Sequence, residues 1–249
     1  MRKNFRTYGA ALALGALGLA LSAGSAHASI VGDPLTVTAI ADGGLTATWA
    51  LPASWGTWNG DDWHYDGTGR TYQMWNGQTL LGTLTNITMD LYGDPQVVLN
   101  FTAQAGVANT KFIFTSALVS FAALTNPTAT ASAGVTVTDN NFNGALLSGQ
   151  QSDGASYWAN YNGPVPGGTN YASFLPTVSA TALQGSNSGS ASQGPTVLGG
   201  SVSDMSAQFA FSLSAFDSAS GTSNFEIVPT PGALALLGLA GLAAGRRRR

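Results

Sequence analysis

The sequence predicts an all-β fold, an antiparallel β-sandwich of Greek-key or jelly-roll type, with a helical segment at each end. Three observations lead to this prediction. Apolar and polar residues alternate with a period of two in short segments, Gly-, Asn- and Asp-rich turn signals separate those segments, and no long amphipathic helical pattern lies between the two ends. Runs of this kind, repeated along about 200 residues, favour one sandwich domain.

The segment 45–51 shows the alternation clearly, because its apolar positions include Trp49 and Leu51 and its intervening positions include Thr46 and Thr48. Candidate strands lie at 35–41, 45–51, 70–75, 79–91, 96–103, 111–121, 128–138, 172–183, 196–202, 206–216 and 222–228. Turn signals stand at 42–44, 76–77, 93–95, 143–144, 162–164 and 220–221. The Gly-, Ser- and Gln-rich stretch 184–194 is predicted to be a long loop. A β-solenoid is the main rival fold, but no repeat of fixed period occurs.

Composition and charge limit the classes of function. The 249 residues contain no cysteine, so neither disulfides nor cysteine metal sites are available. Basic residues gather at the two ends, and between them Arg70 and Lys111 face eleven Asp and one Glu, which gives the body a net charge of −10. Such a body repels phosphate backbones, so the sequence excludes nucleic acid as a partner.

The N-terminal segment 1–28 has the layout of a secretory signal peptide. A basic start precedes a short apolar run, and the small residues Ala26 and Ala28 stand at the positions that signal peptidase prefers. We therefore expect export, with cleavage after Ala28. An uncleaved anchor is the alternative, although the apolar run is short for a membrane span.

The C-terminal segment 227–249 combines a Pro-containing turn, an apolar stretch and a basic end. The turn is formed by Val228, Pro229, Thr230 and Pro231, and the basic end by Arg246, Arg247, Arg248 and Arg249. The apolar stretch between them reaches roughly 21 Å as a helix, short of the ~30 Å hydrocarbon core of a bilayer. Arginines at its end would remain at the cytoplasmic face. The pattern predicts a transient membrane stop next to a protease-accessible linker, and an ordinary tail anchor is the alternative.

These tail residues resemble the PEP-CTERM sorting signal, which is also catalogued as the "ice-binding protein C-terminal" motif. The usual core of that signal is Val-Pro-Glu-Pro, and Thr230 stands where the family has Glu. The resemblance covers about residues 226–249. It implies recognition by an exosortase-type membrane protease of a Gram-negative bacterium, transient anchoring in the inner membrane, and delivery to the cell envelope, the outer surface or the exterior.

Aromatic residues crowd into residues 49–75 and suggest a binding surface. Trp49 and Trp75 lie on predicted strands and are expected in the core. The Gly-, Asn- and Asp-rich segment between them carries the candidate ligand-binding residues Trp55, Trp58, Trp63 and Tyr65. Exposed aromatic faces of this kind can stack on sugar rings, and core filling is the alternative role.

Acidic residues suggest a calcium site in the same segment. Asp61, Asp62 and Asp66 supply carboxylate oxygens, which are the ligands that Ca²⁺ prefers. A second candidate begins at Asp139 and matches part of a calcium loop. Gln150 stands where a bidentate Glu is needed, and a predicted strand rather than a helix leads into the segment, so an Asn-rich turn is the simpler explanation.

The inventory of catalytic side chains is small. His64 is the one histidine of the body, and no G-x-S-x-G sequence is present to supply a nucleophile. A pair such as Asp61 and Asp66 in a glycosidase remains an alternative. We therefore expect a non-enzymatic surface protein associated with biofilm or exopolysaccharide. The alternative is a carbohydrate-binding module, or less favourably an ice-binding one, that uses residues 55–65.

Overall fold

A computed structural model describes residues 29–180 and 185–230. The predicted signal peptide, the apolar tail helix and the arginine cluster lie outside these residues. Among the described residues, no helix is long and apolar enough to cross a membrane.

The described part of the chain is all-β. Its regular structure consists of one 3₁₀ turn (Ala53–Trp55) and these strands: β1 (Ser29–Ala41), β2 (Thr46–Leu51), β3 (Thr57–Asn59), β4 (Asp62–Asn76), β5 (Thr79–Tyr92), β6 (Gln96–Ala105), β7 (Thr110–Thr125), β8 (Thr128–Thr138), β9 (Ala145–Gly149), β10 (Tyr157–Tyr161), β11 (Thr169–Phe174), β12 (Thr177–Ala180), β13 (Ser186–Val197), β14 (Ser201–Leu213) and β15 (Ser218–Val228).

The strands form two antiparallel sheets. An eight-stranded sheet has the order β11-β10-β14-β7-β1-β2, and β9 joins it beside β14 while β12 pairs with β9. A seven-stranded sheet has the order β13-β8-β15-β6-β5-β4-β3. Alternation along the strands is regular, as in β6, where every second side chain from Val97 to Ala105 is buried. This period places one face of each sheet in the core.

Phenylalanine rings from both sheets meet in that core. The ring of Phe101 on β6 lies 3.9 Å from that of Phe114 on β7 and 5.1 Å from that of Phe209 on β14, measured between centroids. Because β6 belongs to one sheet and β7 and β14 to the other, these contacts join the two inner faces in a sandwich-like arrangement. Gly221 on β15 leaves room for the Phe101 ring, since a Cβ at position 221 would lie 2.3 Å from that ring.

The side of the sandwich where β2 faces β3 and β4 carries the candidate functional site described below. Strand β2 is one edge of the eight-stranded sheet, and β3 is one edge of the seven-stranded sheet, with β4 next to it. β2 and β4 also contact each other across the gap between the sheets. Residues at these edges therefore cover the opening between the two layers.

Several predicted boundaries are wrong. The stretch 184–194 is not a loop, because residues from Ser186 onward form β13, which pairs with β8. The predicted strand 172–183 is divided between β11 and β12, and the predicted turn at 220–221 lies inside β15. Three short strands, β3, β9 and β10, were not predicted at all.

Candidate functional site

The aromatic patch, as we call it, consists of Trp49, Trp55 and Tyr72, whose rings contact one another at the open side between the two sheet edges, together with Trp58, three residues beyond Trp55 on β3. The ring of Tyr72 lies 4.7 Å from that of Trp49 and 5.9 Å from that of Trp55, with the second pair stacked at 27°. Trp49 and Tyr72 are partly buried and pack against the core. Trp55 and Trp58 are 46% and 52% exposed. The open indole of Trp55 therefore rests on a packed aromatic base, and Trp58 is a second open indole three residues farther along the chain.

The short segment that carries the open indoles is fixed to the core. Pro52 precedes the 3₁₀ turn with φ −67° and ψ 140°, an extended conformation that proline favours. The buried indole of Trp63 donates a hydrogen bond from Nε1 to the carbonyl of Ala53 at 3.0 Å. Gly56 lies against the same indole, where a side chain would have no room. These contacts set the position of Trp55 and Trp58.

Tyr72 of the patch is also connected to Tyr65 and Arg70 on the same strand. The hydroxyls of Tyr65 and Tyr72 share a hydrogen bond, and the guanidinium of Arg70 lies 6.0 Å from the centre of the Tyr65 ring. Burial raises the pKa of Tyr65 to about 12, together with the hydrogen bond and charge of Tyr72 and against the effect of Arg70. The phenol of Tyr65 is thus neutral at ordinary pH and serves as a fixed hydrogen-bonding support for Tyr72.

Two of the predicted ligand-binding residues cannot offer a binding face. Trp63 is completely buried and Tyr65 nearly so, with their rings stacked 6.3 Å apart. They lie on β4 rather than in a loop. Their side chains point into the core, whereas the side chains of His64 and Asp66, which alternate with them along the strand, are exposed. The sequence does contain this alternation, but the neighbouring Gly, Asn and Asp residues favoured a loop prediction for the segment. The prediction that Trp63 and Tyr65 bind a ligand directly is wrong.

Trp75 is also placed differently from the prediction. It was expected in the core, but it is 49% exposed, and its Nε1 donates to the side chain of Gln73. A register shift between Gly67 and Thr71 changes which residues of β4 face inward, so that Met74 is buried and Trp75 points outward. Trp75 is therefore an exposed tryptophan outside the aromatic patch.

Two of the three carboxylates predicted to bind calcium are hydrogen-bonded to different backbone amides. Asp62 accepts a hydrogen bond from the amide of Gly93, and Asp66 accepts one from the amide of Thr68. Hydrogen bonds from the Thr68 hydroxyl and amide lower the pKa of Asp66. Within residues 29–180 and 185–230, no three His, Cys, Asp or Glu side chains form a group that could hold a metal ion, so Asp61, Asp62 and Asp66 are not gathered into one.

The second calcium candidate folds as an Asn-rich turn. Asp139 is buried, and its Oδ1 accepts hydrogen bonds from the amides of Asn141 and Asn143. Its neighbour Asn140 donates from its amide to the buried carboxylate of Asp217. These bonds join the turn after β8 to the turn between β14 and β15.

His64 has a carboxylate partner that the sequence did not reveal. Its Nδ1 is hydrogen-bonded to Oδ1 of Asp90 on the neighbouring strand β5. The imidazole side chain is 56% exposed. In the described part of the chain, Asp90 is the hydrogen-bond partner found for the His64 side chain, and no serine or threonine hydroxyl is hydrogen-bonded to it.

A shallow depression of about 500 Å³ lies on the strands β8, β13 and β15. Its lining consists of Ser, Thr, Asn, Gly and Ala residues and contains no titratable side chain. It therefore offers hydrogen bonds but no acid or base for catalysis.

The described residues include only the start of the predicted sorting tail. Val228 is the last residue of β15, and Pro229 and Thr230 follow it without regular structure. Pro231, the arginine cluster, Ala26 and Ala28 lie outside the described residues.

Comparisons with known proteins give little guidance. No protein-family model matches the chain, and no curated protein matches it. One solved structure found by the comparison carries the words "CBM4 structure and function"; it is 12% identical, covers 68% of this chain and 87% of its own, and has a TM-score of 0.21. Another, of the infectious bursal disease virus Gt strain, is 11% identical, covers 82% of this chain and 65% of its own, and has a TM-score of 0.18. Similarities this low carry no argument about function, and the aromatic patch must be interpreted from its own chemistry.

Proposed function

We propose that this chain is an exported, non-enzymatic protein of the cell envelope or extracellular matrix whose β-sandwich body, of Greek-key or jelly-roll type, binds carbohydrate through the aromatic patch. The observation that carries the binding role is the open indole of Trp55, held on a packed aromatic base, with a second open indole, Trp58, three residues away.

The chemistry of the patch suits a sugar chain. The C–H faces of a sugar ring are apolar and pack on an indole face, while the ring hydroxyls remain available for hydrogen bonds. Trp55 and Trp58 are three residues apart, so their Cα atoms lie at most about 10 Å from each other. That span accommodates neighbouring sugars of one chain rather than a single monosaccharide.

Preorganisation supports the same role. Trp55 stacks on Tyr72, and the backbone before it accepts the Trp63 hydrogen bond. An indole fixed before binding loses less conformational entropy when a ligand arrives. Exposure of large aromatic side chains would otherwise be unfavourable in water, which is consistent with a surface kept for a ligand.

Glycan pull-down with matched tryptophan variants tests the binding role. Truncating an anchoring Trp commonly costs about 2 kcal/mol, or roughly thirtyfold in Kd. We expect Trp55→Ala and Trp58→Ala to lose retention on polysaccharide, with unchanged circular dichroism. Trp75→Ala is the control, because Trp75 is similarly exposed but lies outside the patch. Equal retention of all three variants would refute the proposal.

Export and sorting rest on the two end segments and have their own experiment. We expect signal peptidase to remove residues 1–28 and an exosortase-type protease to act at the tail. Replacing Arg246–Arg249 with serine should change the mature mass and the cell fraction in which the protein is found. An unchanged mass and an unchanged fraction would contradict the sorting role while leaving glycan binding by the body intact.

A further inference from the structure

Strand β13 is the edge of the seven-stranded sheet that lies farthest from β3 and β4. It has twelve residues, and in the part of the chain that the structure describes it pairs with β8 alone. In an antiparallel ladder, every second residue of an edge strand directs its amide and carbonyl away from the neighbouring strand. Half of the backbone groups of β13 therefore face outward, where a further strand can add to the sheet.

The other edge strands carry the features by which proteins prevent such pairing. Strands β2, β3, β11 and β12 have only three to six residues. Strand β4 extends beyond β3, but two register shifts interrupt it, and it carries Asp66 and Arg70. In β13, residues 186–193 contain no charge, no proline and no register shift, and Pro195 lies beyond them. This unprotected stretch is about 27 Å long.

The opposite sheet holds β13 in place. Asn187 donates from Nδ2 to the carbonyl of Ser179 at 2.7 Å, and Gln193 donates from Nε2 to the carbonyl of Tyr171 at 2.8 Å. These bonds attach the two ends of the unprotected stretch to β12 and β11. A strand that is fixed before its partner arrives loses less conformational entropy when it pairs.

Serines occupy the solvent side of the stretch at every second position. They are Ser186, Ser188, Ser190 and Ser192, and all are exposed. Hydroxyl pairs already join strands on this face of the sheet, since Ser188 shares a hydrogen bond with Thr136 at 2.8 Å and Thr102 shares one with Ser220 at 3.0 Å. An added strand with hydroxyls at every second position would continue that pattern.

We propose that the free edge of β13 pairs antiparallel with β13 of a second copy of this chain. A twofold axis at Gly189 places Ser188 opposite the partner's Ser190 and Ser186 opposite the partner's Ser192, so the serine pattern matches itself. Neither β13 nor its neighbour β8 carries a charged residue. The contact therefore brings no like charges together, although each body has a net charge of −10.

The pairing joins two seven-stranded sheets edge to edge and leaves an aromatic patch at each far edge. Because the paired stretch is short, the interface belongs to the weak class that buries less than about 1,200 Å². It should form at high protein concentration and dissociate on dilution. The pairing does not depend on glycan binding, but a dimer with two patches could hold two sugar chains at once.

Sedimentation velocity of the purified full-length chain tests the pairing, in mild detergent that keeps the apolar end segments dispersed. We expect a monomer–dimer equilibrium in which the dimer fraction rises with protein concentration. It should also rise with NaCl, because salt screens the repulsion between the two acidic bodies. Hydrogen exchange at the amides of residues 186–193 should slow as the dimer forms.

Lysine pairs locate the contact. Ser188→Lys/Ser190→Lys places like charges opposite each other across the twofold axis, and we expect the dimer Kd to rise about tenfold or more. Ser220→Lys/Thr222→Lys is the matched control, because it adds the same charges to the same face on β15, an interior strand. Circular dichroism should stay unchanged in both variants, and the control should dimerise like the wild type.

Three results would overturn the pairing: a wild-type chain that stays monomeric up to about 1 mM, a dimer that the two lysine pairs weaken equally, or a dimer in which exchange at residues 186–193 is unchanged. The Trp55→Ala/Trp58→Ala variant should dimerise like the wild type. Loss of glycan retention and loss of pairing can thus be distinguished, so failure of one proposal leaves the other standing.

Discussion

Gly56 connects the two open indoles of the aromatic patch to the core, and replacing it with alanine tests that connection. A Cβ at position 56 would lie 2.3 Å from Cε2, 2.4 Å from Cζ2 and 2.6 Å from Nε1 of Trp63. Carbon atoms in ordinary contact are about 3.5–4.0 Å apart, so relief needs a movement of more than ~1 Å. Because Trp63 is fully buried, we expect the segment 53–58 to move rather than the indole.

The movement should affect both stability and binding. Inserting a methyl group into a packed site costs about 1–3 kcal/mol, and we expect Gly56→Ala to lower the free energy of unfolding by that amount. Trp55 and Trp58 flank Gly56, so their spacing changes and glycan affinity should fall about tenfold, which corresponds to about 1.4 kcal/mol. Urea denaturation followed by circular dichroism measures the first effect, and calorimetric titration measures the second.

Two further variants make this prediction refutable. Gly199→Ala is the matched control, because a Cβ at Gly199 meets nothing within 4 Å and its backbone is not left-handed. A double-mutant cycle with Trp63→Phe identifies the clash, since a phenyl ring lacks the Nε1 and Cζ2 atoms. The reasoning is refuted if Gly56→Ala is no more costly than Gly199→Ala, or if its cost is the same with Phe at position 63.

Three other predictions concern the stability of the fold. Burial and Tyr72 raise the pKa of Tyr65 to about 12; because an unfolded tyrosine has a pKa of about 10, this stabilisation is present below pH 10 and is lost between about pH 10 and 12. Tyrosinate absorbance with circular dichroism checks this, and full ionisation near pH 10 in folded protein contradicts it. Phe101→Ala should lower the free energy of unfolding by about 3–5 kcal/mol, whereas Phe142→Ala, at a 58% exposed position, should change it by less than about 0.5 kcal/mol; similar urea midpoints would contradict this. Burial alone raises the pKa of Asp153, but hydrogen bonds from Ser173, Ala155 and Trp158 lower it below its ordinary value. The stabilisation that Asp153 gives the folded state is therefore present above about pH 4 and is lost as the pH falls further. Asp153→Asn should accordingly make the free energy of unfolding less dependent on pH on the acid side.

The sequence predicts strands well where one face is apolar and the other polar. Strand β8 is predicted with the bounds that the structure has, and β5 and β6 differ from prediction by one or two residues. Strand β13 was missed because its residues are small and polar on both faces, so no alternation marks it. Its strand conformation comes from pairing with β8, which depends on residues about fifty to seventy positions away.

The candidate site was predicted in part. Trp55 and Trp58 are exposed as the sequence suggested, but Trp63 and Tyr65 belong to the core. Trp75 is turned outward by a register shift, and a period-of-two pattern cannot foresee a bulge. Tyr72 completes the patch only because β4 and β2 meet at the open side between the sheets, a contact that depends on the whole topology.

The indole resonances of the six tryptophans offer the most direct test of carbohydrate binding at the aromatic patch. In ¹⁵N-labelled protein each indole N–H gives one signal, which can be assigned by single substitutions. We predict that adding a polysaccharide-derived oligomer shifts the Nε1–H signals of Trp55 and Trp58, while those of the buried Trp63 and of Trp75, outside the patch, remain in place. Shifts at Trp75 with none at Trp55 and Trp58, or no shift at any tryptophan across neutral, acidic and amino-sugar oligomers, would contradict it.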